Sequence, residues 1–192
     1  MNHEMIEYAE KQPTLTLCNG GRQALVLLNE TEEERTITTT NAKGKEVDSK
    51  VKVYLYDAVW LALNGKEPLE AAKASVLESI TAHDLSEEVN HFTLNGKTYW
   101  LDKATRVGLM NSTSIAKNLG EEKVCVWLGD TMLSLAPDTV IALLSQIEMY
   151  AQDVYNITAH HRAAVDAMTD VAGVLAYDYT ASYPEPLTLT AE

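Results

Sequence analysis

The chain has 192 residues, 15 Lys+Arg against 28 Asp+Glu, a formal net charge of −13 and 46% hydrophobic residues. Nine glycines and five prolines are too few for a collagen-like repeat or a low-complexity linker, and the apolar fraction excludes a disordered chain. The acidic balance argues against nucleic-acid binding, because phosphate affinity needs clustered Lys and Arg, and beyond Lys123 a single basic residue, Arg162, faces nine acids.

Met1 to Gln12 carries Glu4, Glu7 and Glu10 and no apolar core, so no signal peptide is expected. Leu15 and Leu17 alternate, Asn19-Gly20-Gly21 signals a turn, and Ala24, Val26 and Leu28 alternate again, a β pattern. Glu30 to Glu34 holds four acids in five residues and reads as a solvated loop. Thr36-Ile37-Thr38-Thr39-Thr40 is β-branched throughout and predicts a strand. A turn follows at Asn41-Ala42-Lys43-Gly44, then a strand in which Val51, Val53 and Leu55 alternate with Lys52, Tyr54 and Tyr56.

From Pro68 the pattern becomes helical, with Leu69, Ala72, Val76, Leu77 and Ile80 at three- and four-residue spacing and an end near His83-Asp84. Phe92 to Leu94, Asn95-Gly96, then Tyr99-Trp100-Leu101 is a hairpin signal. Asp102 suits the N-cap of a helix from Lys103 to Leu119 that Gly120 stops. A second hairpin runs from Val124 to Leu135 around Gly129-Asp130, and both Trp100 and Trp127 are expected to be buried. Pro137-Asp138 opens a helix reaching about Ala176. Forty residues would span about 60 Å, against a diameter of roughly 42 Å for a compact chain of this length. Such a helix must kink, project or pack along a partner. No run approaches the length of a membrane-spanning helix. The expected organisation is an N-terminal β-rich region, residues 1–65, and an α+β domain, residues 66–192. In that domain two β-hairpins pack with three helices, the last one long.

Motifs for catalysis or ligand binding are missing from this pattern. Gly96-Lys97-Thr98 resembles the end of a phosphate-binding loop, but His91 stands where the first glycine belongs and a strand follows. His160 and His161 lie about 100° apart on a helix, so they do not chelate one ion. Cys18 and Cys125 lack C-x-x-C spacing and sit in apolar, strand-like stretches, which reads as small buried thiols kept reduced. Catalytic, cofactor-binding and metal-ligating residues are accordingly none. Lys43, Lys45, Lys50 and Lys52 form a basic cluster diluted by Glu46 and Asp48, and read as lysines guarding a sheet edge.

Two features point to contacts. Ile147, Val154, His161, Met168 and Leu175 recur every seven residues. That stripe is either an ordinary core face or a seam against another copy, with His161 as a polar interruption. Tyr177, Tyr179 and Tyr183 fall within seven residues ahead of Pro184 and Pro186, which is either a recognition strip or a tail packed on its own domain.

The order of helix, Asn-Gly hairpin, helix, tryptophan hairpin and long acidic helix carries a resemblance. Asn95-Gly96, Tyr99-Trp100-Leu101-Asp102, Arg106, Val126-Trp127, Gly129-Asp130 and Tyr177-Asp178 leading to Tyr183-Pro184 are its residues. Through them, residues 67–187 resemble a phage- and prophage-associated domain family of unknown function, found at the C-terminal end of tail-fibre-type and neighbouring tail proteins. The family's aspartate–glycine turn is Asn95-Gly96 here, and its aspartate–asparagine tip is Asp130-Thr131. The resemblance implies a non-enzymatic phage or prophage tail-associated structural or assembly protein. Its partners would be tail or assembly proteins, with a possible homo-oligomer through the long helix, no nucleic acid and no membrane. Its place would be the virion, or the bacterial cytoplasm when expressed from a prophage. The alternatives are a small binding or regulatory protein of a mobile element and a hydrolase with an unrecognised site.

Overall fold

A computed structural model describes residues 3–191 and is a mixed α+β structure. The chain forms two compact units, both discontinuous: one runs up to Leu77 and takes back Val165–Tyr177, the other is Glu78–Ala164 with the segment from Asp178 onward. The division expected at 65/66 thus precedes the observed one, which lies inside a helix. The return of a later segment to the first unit is a non-local contact that composition does not reveal.

The first unit is built on a four-stranded antiparallel sheet in the order β1-β4-β3-β2, with β1 His3–Tyr8, β2 Leu15–Cys18, β3 Gln23–Thr40 and β4 Glu46–Ala62. Its base is apolar on both faces. Ala24, Val26, Val59 and Leu61 are buried on one face; Leu25, Leu27, Tyr56 and Ala58 cluster on the other, with Ile6, Tyr8, Cys18 and Tyr54 against them. Helix α1, Pro68–Asp84, begins in this unit, and its Lys73 ammonium donates to the Asp166 carbonyl at 2.6 Å.

The acidic run is not a loop. β3 continues through Glu30–Glu34, absorbing a bulge between Leu28 and Thr31 where Asn29 takes φ 52°. The strand tolerates its acids because β4 sets lysines across from them: Lys52 meets Glu32 at 2.6 Å and Lys50 meets Glu34 at 2.9 Å. Past the base, β3 and β4 run on as a two-stranded ribbon. Asn41 Oδ1 accepts from the Lys43 and Lys45 amides at 2.9 and 3.1 Å, and Gly44 supplies φ +75°, so the ribbon closes where the sequence places its turn.

The second unit assembles both expected hairpins. β5 Phe92–Leu94 and β6 Lys97–Tyr99 turn at Asn95-Gly96, with φ 50° and 80°. β7 Val124–Leu128 pairs with β8 Thr131–Leu135. A strand that periodicity did not suggest, β9 Leu187–Leu189, lies parallel to β5, and Asn95 fastens it by exchanging side-chain hydrogen bonds with the Ala191 backbone at 2.9 and 3.0 Å. Phe92, Leu94, Leu101, Val126, Leu128, Leu135 and Leu189 bury themselves with Val140, Leu144 and Ile147.

α2, Lys103–Asn118, starts at the expected cap and stops before Gly120. α3 covers Pro137–Ala167, 31 residues or about 46 Å, and not the forty expected. Asp170 ends the continuity by capping a separate α4, Val171–Leu175, accepting from Gly173 N at 2.6 Å. α4 belongs to the first unit and packs on β3 with Val174 and Leu175 buried.

The tryptophans are a further correction. With Val126 and Leu128 inward, strand alternation turns Cys125 and Trp127 outward; Trp127 is 61% exposed and Cys125 is exposed, not a buried thiol. Trp100 keeps 36% of its surface exposed, with the Arg106 guanidinium 5.4 Å above its ring.

At the start of α2 the Asp102 carboxylate accepts from the Thr105 amide at 2.9 Å and its hydroxyl at 2.8 Å. These bonds, the backbone one foremost, hold its pKa below the ordinary 3.8. A lowered folded pKa contributes stability that is present above the unfolded pKa and lost as pH falls through the folded one. Asp102→Asn keeps an acceptor that does not titrate. Its thermal stability should therefore lie below the wild type's near neutrality, and the gap should close as pH falls below about 4, as read by melts across that range.

Candidate functional site

Two arrangements gather the residues of interest: a clasp in the second unit and the ribbon of the first. The clasp gathers part of what the sequence singled out. Thr158 on α3 donates to Asp84 Oδ1 at 2.9 Å, and the Tyr183 hydroxyl lies 2.9 Å from Thr158 Oγ1. A carboxylate only accepts and a threonine has one proton to give, so Tyr183 is the donor to Thr158. His161, 4% exposed, places Nε2 3.0 Å from the Ala181 carbonyl and its ring 5.6 Å from that of Tyr183. His83 meets Tyr179 and Tyr183 edge-on at 6.1 and 5.0 Å, with Nδ1 3.1 Å from Glu88 Oε2. Beyond it, the Thr180 hydroxyl and amide hold the Asp178 carboxyl below its ordinary range.

Chemically the cluster is a clamp. The Thr158 proton goes to Asp84 and the Tyr183 proton to Thr158, so both hydroxyls are committed to internal acceptors. Tyr150 behaves alike: buried, it donates to the Val89 carbonyl at 3.0 Å, and burial pushes its phenol above 10.0. Arg106, 7% exposed, donates to the Leu101 carbonyl and to Glu148, both at 2.6 Å, and so ties the start of α2 to α3. His83, Asp84 and Thr158 carry no motif; only the tertiary structure joins them to Tyr183.

The seven-residue stripe is covered by the chain itself. Ile147 lies in the core with Leu144 and Phe92, and Val154 beside Tyr150 and Val89, with Tyr183 against that group. Together with buried His161 they form an inward face of α3, so the open seam along the long helix is corrected to a core stripe. Met168 and Leu175 lie beyond the end of α3, because Asp170 starts a new helix; Met168 is half-buried and Leu175 buried on α4. Tyr177 is half-buried in the first unit, and Tyr179 and Tyr183 are half-buried in the second.

The ribbon is the more exposed arrangement. Every residue from 29 to 50 is exposed, on both faces. β1 pairs only with the stretch from Tyr54 to Val59, and β2 only with Gln23 to Val26. Among the described residues, the ladder from Thr31–Leu55 to Thr40–Glu46 therefore has almost no third strand, β1 reaching only its first two pairs. One face carries Ile37, Val47 and Val51 together with the paired Glu33 and Arg35, with Ile37 45% and Val47 44% exposed; the other carries Glu32, Glu34, Asp48, Lys50 and Lys52. Two of the four lysines of the sequence cluster are thus matched within the ribbon, through Lys50–Glu34 and Lys52–Glu32. Exposed pairs of this kind are screened by water and serve register more than stability.

Among the described residues, no group of three or more His, Cys, Asp or Glu could hold a metal ion, and no helix is long and apolar enough to cross a membrane. Against known proteins, no family model matches this chain, and no curated protein or solved structure matches it.

Thr158→Val removes the hydroxyl that joins Asp84 to Tyr183 while keeping its shape. It should cost about 1–3 kcal/mol in urea unfolding and speed amide exchange at Leu187–Leu189, the strand that Tyr183 leads into. Tyr183→Phe should cost about 1 kcal/mol. In the double variant the two losses should be less than additive, because both remove the shared Tyr183–Thr158 bond.

Proposed function

We propose that this chain is a non-enzymatic structural or assembly protein that works through protein contacts, in the setting of a phage or prophage tail. The observation that carries the reading is the ribbon. An isolated two-stranded hairpin is marginal in water, and unpaired strand edges are templates for pairing with another chain. Here such a ribbon extends past the last residue that any other described strand covers, with Ile37 and Val47 exposed on one face. A projecting element of this kind is economical only if a partner meets it. The tail setting rests on the resemblance of residues 67–187, and with it the expected location in the virion or in the bacterial cytoplasm. Nucleic acid is not among the proposed partners, since Lys50 and Lys52 of the ribbon face glutamates. A second reading, a small binding or regulatory protein of a mobile element, is favoured by Trp127 and Met132. They are cross-strand neighbours, 61% and 51% exposed.

The test is a shortened ribbon, with Asn-Gly joining Glu32 directly to Tyr54. The base of the sheet, around Val26 and Val59, lies outside the deletion, so the variant should still unfold cooperatively. In the bacterium that carries the gene, the wild type should be found in tails or their precursors, and the shortened protein should be lost from them. Tails that assemble normally and contain the shortened protein at wild-type levels would overturn the reading.

A further inference from the structure

Among the described residues, the outer edge of β4 is unpaired from Glu46 to Val53, because β1 first meets it at the Tyr8–Tyr54 pair. Along that edge the sequence reads Glu46-Val47-Asp48-Ser49-Lys50-Val51-Lys52. Its pattern is palindromic about Ser49, with acids on one side answered by lysines on the other. Two such strands laid antiparallel, with a two-fold axis at Ser49, set Glu46 opposite Lys52, Val47 opposite Val51 and Asp48 opposite Lys50, and then the same three pairs again in reverse. Residues directly opposite in an antiparallel pair share a face. The valines therefore meet on the face that also carries Ile37 and the Glu33–Arg35 ion pair, and every β4 charge on the other face meets its opposite.

We infer that β4 pairs through this edge with β4 of a second copy, making a symmetric dimer in which the two ribbons join into one continuous antiparallel sheet. The inference deepens the contact role proposed for the ribbon, on which it rests, by naming a partner for one of its edges. The charge pattern also selects the register. An axis moved to Asp48 opposes Asp48 to itself, and one moved to Lys50 opposes Lys50 to itself. An axis at Val47 sets Glu46 against Asp48, and one at Val51 sets Lys50 against Lys52. An axis between Ser49 and either neighbour puts Val47 opposite a lysine. Lysines on a free edge ordinarily deter pairing; in the Ser49 register each of Lys50 and Lys52 gains an acid instead. The paired segment, Glu46 to Lys52, also ends before the Tyr8–Tyr54 pair. Within each copy Glu34 and Glu32 still reach Lys50 and Lys52, so the charges form rows across four strands.

The test is charge reversal with complementation, on the full chain. The wild type should show a concentration-dependent monomer–dimer equilibrium by sedimentation. Asp48→Lys sets lysines against lysines at both symmetric pairs, and Lys50→Asp sets acids against acids. Each alone should weaken the dimer at least ~tenfold. Mixed in equal amounts, the two variants should form a heterodimer of near wild-type affinity. In it the Asp48→Lys copy presents a lysine at both positions, the Lys50→Asp copy presents an acid at both, and association also shows that both are folded. Ser49→Cys, in a background with Cys18 and Cys125 replaced by serine, should cross-link to a covalent dimer under mild oxidation. A wild type that stays monomeric at every concentration, a dimer indifferent to both reversals, or a mixture that does not associate would overturn the inference. A monomeric wild type whose shortened-ribbon form is still lost from tails would overturn self-pairing alone and leave the contact role standing.

Discussion

The antiparallel pairing of β3 with β4 is the constraint from which the first unit follows. It runs from Gln23–Ala62 at the base to Thr40–Glu46 at the tip, interrupted by the bulge after Leu28. Near the base the two strands carry apolar residues on both faces, so strands, a wrapping segment and α4 must gather there to keep them from water. Leu27 N–H donates to the Thr14 carbonyl at 2.8 Å, and the Tyr56 hydroxyl accepts from the Gln12 amide at 3.0 Å; both bonds draw the residues before β2 onto that base. Towards the tip the same ladder turns β-branched and charged. Nothing there demands a cover within the chain, and the ribbon is left exposed on both faces. One continuous pairing thus supplies a core at one end and a surface at the other.

The second unit uses polar bonds at places where its small hairpins need fixing. Two- and three-stranded sheets of three to five residues do not stand alone, so the apolar stripe of α3 covers them through Val140, Leu144 and Ile147. Arg106 then joins α2 to α3, and Thr158 joins α3 to the last turn of α1 and to Tyr183. The tail continues from Tyr183 into β9, which completes the sheet beside β5. The aromatic residues of that tail work mainly inward, which leaves the ribbon as the most exposed element among the described residues.

The differences between expectation and structure share a cause. Four acids in a row of five repel one another and favour a loop, yet Glu30–Glu34 forms a strand because Lys50 and Lys52 stand across from it. Val171, Ala172, Val174 and Leu175 continue a helical pattern towards Ala176, but Asp170 can cap as well as continue a helix, and the capped α4 packs on β3. Size alone would bury Trp127, whereas the pleat gives the inward positions to Val126 and Leu128. In each case local preference is close to balanced, and a partner distant in sequence decides it.

Periodicity and turn chemistry in the sequence alone determined the α+β class, the two hairpins with their Asn-Gly and Gly-Asp turns, the capped start of α2 and the first turn of α3. Those features depend on a few neighbouring residues: positive-φ turns, a carboxylate beside free amides, apolar side chains at helical spacing. The palindrome of β4 was also present in the letters, but it became an edge only when the short reach of β1 left it unpaired. The split into two discontinuous units, the strand through the acidic run, the β5–β9 pairing, and the joining of His83, Asp84, Thr158, His161 and Tyr183 were decided by tertiary structure. Each requires two segments far apart in the chain to meet, and the free energy of such a meeting comes from burial and pairing between them, which no single segment carries.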